Sequence, residues 1–339
     1  MKIVFLSFYQ QTANRGVERF VKELISRLDL KINVQVFSAS KINTGFKDYS
    51  RSFLRKFFLD PCSLAILRHT IQSFGKLRKY DIIIPLNGGW QSLLTKIFCL
   101  FYRKKFIIIG HSGLGYDDRW NLLLKPNLFV VLSKFQKQWA KKYYHGSIEI
   151  ISNGVDLVKF SPKGKNKKFN LRPPVILCVT SLQKHDFLKN LIMAVSKTKA
   201  SLVMAGSGDH QQEKYLDSLA SKYLRGRYLR KQFKYLEMPA VYRSADLFVY
   251  PNPPWESFGL VFLEALACNL PVVASNDPIR KEIIGSAGLF FNPEDYNSIY
   301  VTFKKALKEN WQDKPRHQAK KYSWDKMALK YLDLFKKLV

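Results

Sequence analysis

Short apolar runs rich in β-branched residues recur along the chain, each followed by a longer amphipathic stretch, and this alternation restricts the fold more than any other property of the sequence. In the first half the runs fall at 3–7, 34–38, 81–85, 106–110, 128–132 and 148–152, and in the second at 175–180, 201–205, 247–250, 272–274 and 288–291. Continuous apolar runs of this length suit strands buried on both faces, as in parallel sheets. Between the first two, residues 16–28 place Val17, Phe20, Val21, Leu24 and Leu28 at helical spacing, with Glu18, Arg19, Lys22 and Glu23 largely on the other side. The expected fold class is therefore α/β, as two doubly wound domains facing a cleft, with ligands at the carboxyl ends of the strands. Residues 160–168, polar and turn-prone, read as a linker. They divide the chain into domains 1–165 and 166–324, and residues 323–338 read as an N-capped amphipathic helix.

A chain of 339 residues has room for two ordinary domains, and a content of 47% hydrophobic residues argues against disorder. Its charge is unusual: 56 Lys and Arg against 26 Asp and Glu leave +30, and residues 1–170 alone carry 30 basic and 10 acidic side chains. Nucleic acid, an anionic membrane surface and phosphorylated substrates are all compatible with that balance. Cys62, Cys99, Cys178 and Cys268 form no Cys-x-x-Cys pair and no Cys/His cluster, so reduced thiols in a cytoplasmic protein are expected, without a structural metal. Neither a signal peptide nor a membrane span is expected, because the first apolar run is short and the stretch 93–110 is broken by Lys96 and Arg103-Lys104-Lys105.

The most informative segment is 251–267. A proline-rich loop leaves a strand, passes Glu256 and enters a helix at Ser257-Phe258-Gly259, where free backbone N–H groups can hold an anion. Within the helix Glu264 is the only charge among Leu260, Val261, Phe262, Leu263, Ala265, Leu266 and Ala267. A carboxylate in apolar surroundings needs partners, at a cost of ~1–3 kcal/mol without them, and sugar hydroxyls would serve. The plainer alternative makes Glu256 a dipole-favoured first-turn residue and lets Glu264 reach solvent. His111, after a strand end, is either catalytic or a hydrogen-bonded structural histidine. Gly206-x-Gly208 is a weak nucleotide signal that also fits a tight turn. No Asp-x-Asp occurs, so no carboxylate pair is in place for a metal–diphosphate complex.

Taken together, the Glu-x7-Glu spacing of Glu256 and Glu264, the Ser257-Phe258-Gly259-Leu260 between them and Asn269-Leu270-Pro271-Val272-Val273 after them resemble the donor signature of the retaining glycosyltransferases of family 4 (group 1), which have the GT-B fold. Supporting pieces lie in order along nearly the whole chain: Asn14-Arg15-Gly16, His111, Ser152-Asn153-Gly154, Ala205-Gly206-Ser207-Gly208 and Tyr242-Arg243-Ser244-Ala245-Asp246. The resemblance implies two Rossmann-like domains, the first binding the acceptor and the second the nucleotide sugar, with a final helix at about 325–339 returning to the first.

Carried over by position, the resemblance makes His111 and Glu256 catalytic. Glu264 would bind ribose hydroxyls, Phe258, Gly259 and Leu260 would offer amides to the sugar and diphosphate, and Gly16 would admit the phosphates closely, with Ser257 and Gly206 in the same donor site. Where the family has an Arg and, five positions on, a Lys to neutralise the diphosphate, this chain has Ser181 and Asp186, so Lys184 and Lys189 are the substitutes expected. Arg15 stands where many members have Gly, and 276–282 departs from a glycine-rich loop while retaining an acidic residue at Glu282. The implied reaction is metal-independent and retaining, with the nucleotide sugar as substrate and no cofactor.

Basic and aromatic residues interleave over 47–79, as in Arg51, Phe53, Arg55, Phe57 and Arg68, which suits an anionic membrane interface as well as it suits a solvated helix pair. The acceptor implied is lipid-linked or a saccharide, in cell-surface glycan synthesis, at a cytoplasmic location with or without attachment to the inner membrane face. Two rival readings are a catalytically impaired GT-B partner protein and a basic nucleic-acid binder. No nucleic acid is expected as a partner, since that reading leaves Glu256 and Glu264 unexplained.

Overall fold

The computed structural model describes residues 1–11, 16–28, 32–39, 57–182, 186–252 and 257–338. They form two units: one from Met1–Asn153 with Trp324–Val339, the other from Gly154–Ser323.

The first unit is built on a six-stranded parallel sheet of order β2-β1-β3-β4-β5-β6. Its strands are β1 (Lys2–Leu6), β2 (Asn33–Phe37), β3 (Ile82–Pro85), β4 (Lys105–Ile109), β5 (Leu128–Val131) and β6 (Ile148–Ile150). Every residue of β3 and β5 is buried, which is why these segments read as unbroken apolar runs. The helices are α1 (Gly16–Leu28), α2 (Pro61–Leu77), α3 (Trp90–Phe101), α4 (Tyr116–Leu123), α5 (Lys134–Lys141) and the last helix, α13 (Trp324–Leu338). Asp60 caps α2 by accepting from the amides of Cys62 and Ser63, with Pro61 at the first helical position. The chain reverses direction across the sheet after β2, so right-handed crossovers put α1 on one face and α2 to α5 on the other.

Helix α13 packs on α1 and completes that face. It buries Met327, Tyr331 and Phe335, sets the Tyr331 ring 5.6 Å from Phe20, and receives Arg27 on Asp325 at 2.6 Å. The expected return of the terminal helix to the first unit is thus observed.

The second unit repeats the architecture with sheet order β12-β11-β10-β7-β8-β9. Strands β7 (Val175–Val179), β8 (Ser201–Ala205), β10 (Leu247–Tyr250), β11 (Val272–Ser275) and β12 (Gly288–Phe291) lie where the apolar runs place them. Strand β9 (Tyr228–Lys231) was not legible: Tyr-Leu-Arg-Lys is a half-exposed edge strand without an apolar run. Helices α6 (Asp186–Ser196), α7 (His210–Leu224), α8 (Met238–Arg243), α9 (Leu260–Ala267), α10 (Pro278–Ile284), α11 (Tyr296–Ala306) and α12 (Lys314–Ala319) cover the sheet.

The stretch 160–168, expected to be a linker, is fastened to this second unit, and the position 165/166 falls inside it. Phe160 is fully buried, Arg243 donates to the carbonyls of Ser161 (3.1 Å) and Lys165 (2.7 Å), and Lys167 pairs with Glu237 at 2.8 Å. Arg316 holds the carbonyls of Leu157 (2.7 Å), Phe160 (2.6 Å) and Ala267 (2.6 Å), so the chain is already committed to the second unit before the charged stretch begins.

Because Phe335 is wholly buried, Phe335→Ala should cost about 3–5 kcal/mol. Hydrogen exchange should show lost protection in α1 and α13 together; loss confined to α13 would mean that the helix is an accessory to this unit.

Candidate donor site of the second unit

In a doubly wound sheet the crevice for a ligand opens where the strand order reverses, outside the carboxyl ends of the strands. In the second unit that place lies between β7 and β10, which pair in parallel although β8 and β9 intervene in sequence. A hydrogen bond of 3.2 Å from Thr180 Oγ1 to the Tyr250 hydroxyl joins the two strand ends. Ser181, exposed, leaves β7 here, and Pro251 and Asn252 leave β10.

The described residues next to β10 and at the start of α9 are each anchored. Asn252 is buried, donates its side-chain amide to Asp277 Oδ2 at 3.2 Å, and accepts on its carbonyl from Ser275 Oγ at 2.8 Å. Phe258 is buried, and Gly259 starts α9 in the left-handed region, at φ 79°. A Cβ there would lie 2.6 Å from the Phe262 ring, so position 259 needs glycine for both its backbone and its space. Phe262 stacks on Tyr250 at 5.5 Å. Arg280, 1% exposed, lies over Phe262 at 5.7 Å and pairs with Asp277 at 3.3 Å. Amides at 258–260 are thereby presented by a helix start fixed from below.

Glu264 sits one turn into α9 and is 5% exposed, so it does not reach solvent. The hydroxyl of Tyr242, on α8, donates to its Oε2 at 2.9 Å. Part of what this carboxylate needs therefore comes from the protein. Tyr242 is itself fully buried, between Phe160 and Phe248.

Gly206 follows β8 and meets the neighbouring loop, where a Cβ would overlap the Thr180 carbonyl oxygen. The tight-approach reading of Gly206 accounts for it without a ligand. Lys189 lies exposed in the first turn of α6. Glu256 and Lys184 lie outside the described residues, as do Arg15 and the stretch 47–56; of Asp186 only the backbone is described.

His111 and Gly16 belong to the first unit. Gly16 opens α1, and Phe20 of the same helix packs on the His111 ring at 4.6 Å. His111 keeps some exposure, but its Nε2 is enclosed without a hydrogen-bond partner, and burial lowers its pKa to about 4, leaving the imidazole neutral. Beneath the 110–113 loop lies Asp118, 2% exposed, which accepts from the amides of Ser112 and Gly113 and from Asn121 Nδ2 at 3.3 Å. Burial raises its pKa to about 8 against those donors.

Sequence reasoning did not assign Tyr242, Asn252, Asp277, Arg280 or Asp118. Tyr242, Asn252, Asp277 and Arg280 stood within segments singled out by sequence but without roles, and Asp118 gave no signal, because their partners are brought close only by the sheet.

Residues 161–325 match the family model described as "Glycosyl transferases group 1". The second unit is a group 1 glycosyl transferase domain. Over 107 residues, 30% of this chain and 28% of the relative, the chain is 35% identical to O-antigen chain mannosyltransferase B of Escherichia coli. The chain spans about half or less of the length of the curated relatives it matches. Among solved structures it is similar to sucrose-phosphate synthase from Thermosynechococcus elongatus, with TM-score 0.79 and 20% identity over 99% of this chain and 98% of that one. The Anabaena Alr3699/HepE structure, in complex with UDP-glucose, gives TM-score 0.76 and 16% identity over 99% and 100%. At these identities the structures establish the fold, which is GT-B with two Rossmann-like units.

Two outcomes follow for the glycosyl transferase domain and its companion unit. Gly259→Ala should destabilise the domain by about 1–3 kcal/mol through backbone strain and the Phe262 overlap, read as a lowered melting temperature; an unchanged value would contradict the left-handed helix start. Asp118, raised from 3.8 to about 8, adds stability that is complete below its ordinary pKa and lost as pH rises through about 8. His111, lowered from 6.5 to about 4, acts oppositely: its contribution is present above 6.5 and lost as pH falls through about 4. Asp118→Asn should therefore flatten the decline in melting temperature between about pH 6.5 and about pH 8.5. A decline as steep as in the parent chain would refute the buried, protonated assignment.

Proposed function

We propose that this chain is a retaining, metal-independent glycosyltransferase that moves a sugar from a nucleoside diphosphate donor to a hydroxyl of a saccharide or lipid-linked acceptor in cell-surface glycan synthesis. The observation that carries the reading is the fixed helix start at 258–260 with buried Glu264 behind it, beside the β7/β10 reversal of a group 1 domain. The relative named for O-antigen chain mannosylation supports a surface-glycan acceptor, and the fold shared with a UDP-glucose complex supports a nucleotide-sugar donor.

In this reading the amides of Phe258, Gly259 and Leu260 meet negative charge on the diphosphate and orient the sugar, while Lys189 and Lys184 add positive charge. Glu264, oriented by Tyr242, accepts from ribose hydroxyls, and Glu256 holds the sugar. The bond from the anomeric carbon to the diphosphate oxygen breaks, the acceptor oxygen bonds the same face of that carbon, and the acceptor proton leaves with the departing phosphate. Stabilising the leaving diphosphate is the dominant contribution, which amides already in place make without reorganisation.

Exposed Ser181, where the resemblance has an arginine, favours a second reading: a catalytically impaired partner protein. Thermal shift with UDP-, GDP-, ADP- and dTDP-sugars separates the two. One donor at about a hundred times its Kd should stabilise the chain by about 2.7 kcal/mol. Glu264→Ala should abolish that shift, and Glu264→Gln, which can still accept from Tyr242, should weaken it. No shift with any donor, in a folded chain, would overturn the enzyme reading in favour of the second.

A further inference from the structure

The first unit also reverses its strand order, between β1 and β3, and the loops that leave the paired strands β3 and β4 lie side by side at the carboxyl edge next to that reversal. The loop after β3 is held from several directions. Asn87 Oδ1 accepts from the Phe8 amide at 3.0 Å, and Gln91 Oε1 accepts from the amides of Leu86 (3.1 Å) and Asn87 (2.9 Å). Trp120, on α4, donates to the Gly89 carbonyl at 3.3 Å, while Trp90 donates to the Phe58 carbonyl at 2.8 Å. The Phe58 ring fills the space over Gly89, where a Cβ would overlap it.

Gly88 differs from its neighbour. A Cβ there would lie 3.9 Å from Asn121 Oδ1 and 3.9 Å from Asp117 Cβ, with nothing nearer, so the loop leaves room facing both residues of α4. Asn121 is 5% exposed; its amide nitrogen donates to Asp118, and its Oδ1 has no partner. A buried carbonyl oxygen left unpaired costs about 1–3 kcal/mol, so this one calls for a donor. Asp117, half-buried, forms no hydrogen bond or ion pair among the described residues, although residues 1–170 carry 30 Lys and Arg against 10 Asp and Glu. Beside it Tyr116 is 58% exposed, its ring 6.0 Å from that of Phe58.

We propose that Gly88, Tyr116, Asp117 and Asn121 form a subsite for an uncharged pyranose, with its C–H face on the Tyr116 ring and its hydroxyls donating to the Asp117 carboxylate and Asn121 Oδ1. The chemistry of the four residues decides the ligand. Two acceptors and an exposed ring over a glycine suit a molecule with hydroxyl donors on its rim and an apolar face. Asp117 repels a phosphate, the strongly basic unit disfavours a cation, and an apolar tail would leave both acceptors unpaired. Binding is a property of the first unit alone. The role of the bound sugar rests on the transferase reading, which it deepens by making the acceptor a saccharide that presents neutral hydroxyls here, not a lipid phosphate.

The test is saturation-transfer NMR of the full chain, with no nucleotide sugar present, against the methyl glycosides of mannose, glucose and galactose and the 6-phosphates of the same three sugars. At least one neutral glycoside should receive saturation at its ring protons, and its phosphorylated counterpart should receive much less. Tyr116→Ala should weaken binding by about tenfold, and Tyr116→Phe should retain it. Asp117→Asn should narrow the difference between the neutral and phosphorylated sugars. Gly88→Ala, whose methyl has room in the free chain but occupies the subsite, should weaken binding at an unchanged melting temperature. No saturation of any neutral glycoside at about 10 mM, where a millimolar Kd would show, would overturn the proposal. So would folded variants that bind like the parent chain, or phosphorylated sugars that bind as well as neutral ones. Saccharide binding at these residues in a chain that no nucleotide sugar stabilises would keep the subsite and remove the transfer reading, and the converse would remove the subsite alone.

Discussion

A parallel sheet whose strand order reverses between two neighbours cannot close over its own carboxyl edge, and the candidate site depends on that opening. In the second unit β7 and β10 are those neighbours, tied by the Thr180–Tyr250 hydrogen bond. Helices α9 and α10 follow from the same connectivity, since both leave the strands on one side of the reversal. Given that layout, a helix beginning at Gly259 must aim its first amides toward the opening.

Buried charge is the second organising feature. Glu264 and Arg280 are buried where apolar packing alone would be simpler, and each meets a partner: Tyr242 for Glu264, and the partly exposed Asp277 for Arg280. Buried ion pairs rarely add much net stability, because desolvation offsets their attraction. Their value here lies in position: Arg280 supports Phe262 beneath Gly259, and Asp277 holds Asn252 at the other end of the same segment. The first unit uses a buried but protonated carboxyl for position, with Asp118 gripping the amides of the loop that carries His111.

The strands were legible because strands buried on both faces leave unbroken apolar runs, as in Ile82-Ile83-Ile84 and Val272-Val273-Ala274. Where burial was partial the signal vanished, as in β9, whose Arg230 faces Asp217 at the rim of the sheet. Charge misled at 160–168: a lysine-rich stretch resembles a solvated linker, yet Phe160 and the carbonyls held by Arg243 and Arg316 fix it in place. Within the site, buried Glu264 and the glycine at 259 could be read directly. The Tyr242 and Arg280 contacts could not, since nothing in a sequence says which buried hydroxyl or guanidinium the sheet will bring to a given residue.

The central claim is that a nucleotide sugar binds at the β7/β10 opening. Hydrogen exchange of the chain with and without a stabilising donor reads this directly, amide by amide. Protection concentrated at 181–190 and 251–264 is the result predicted. Protection that appears only in the first unit, or that spreads evenly over both, would contradict it.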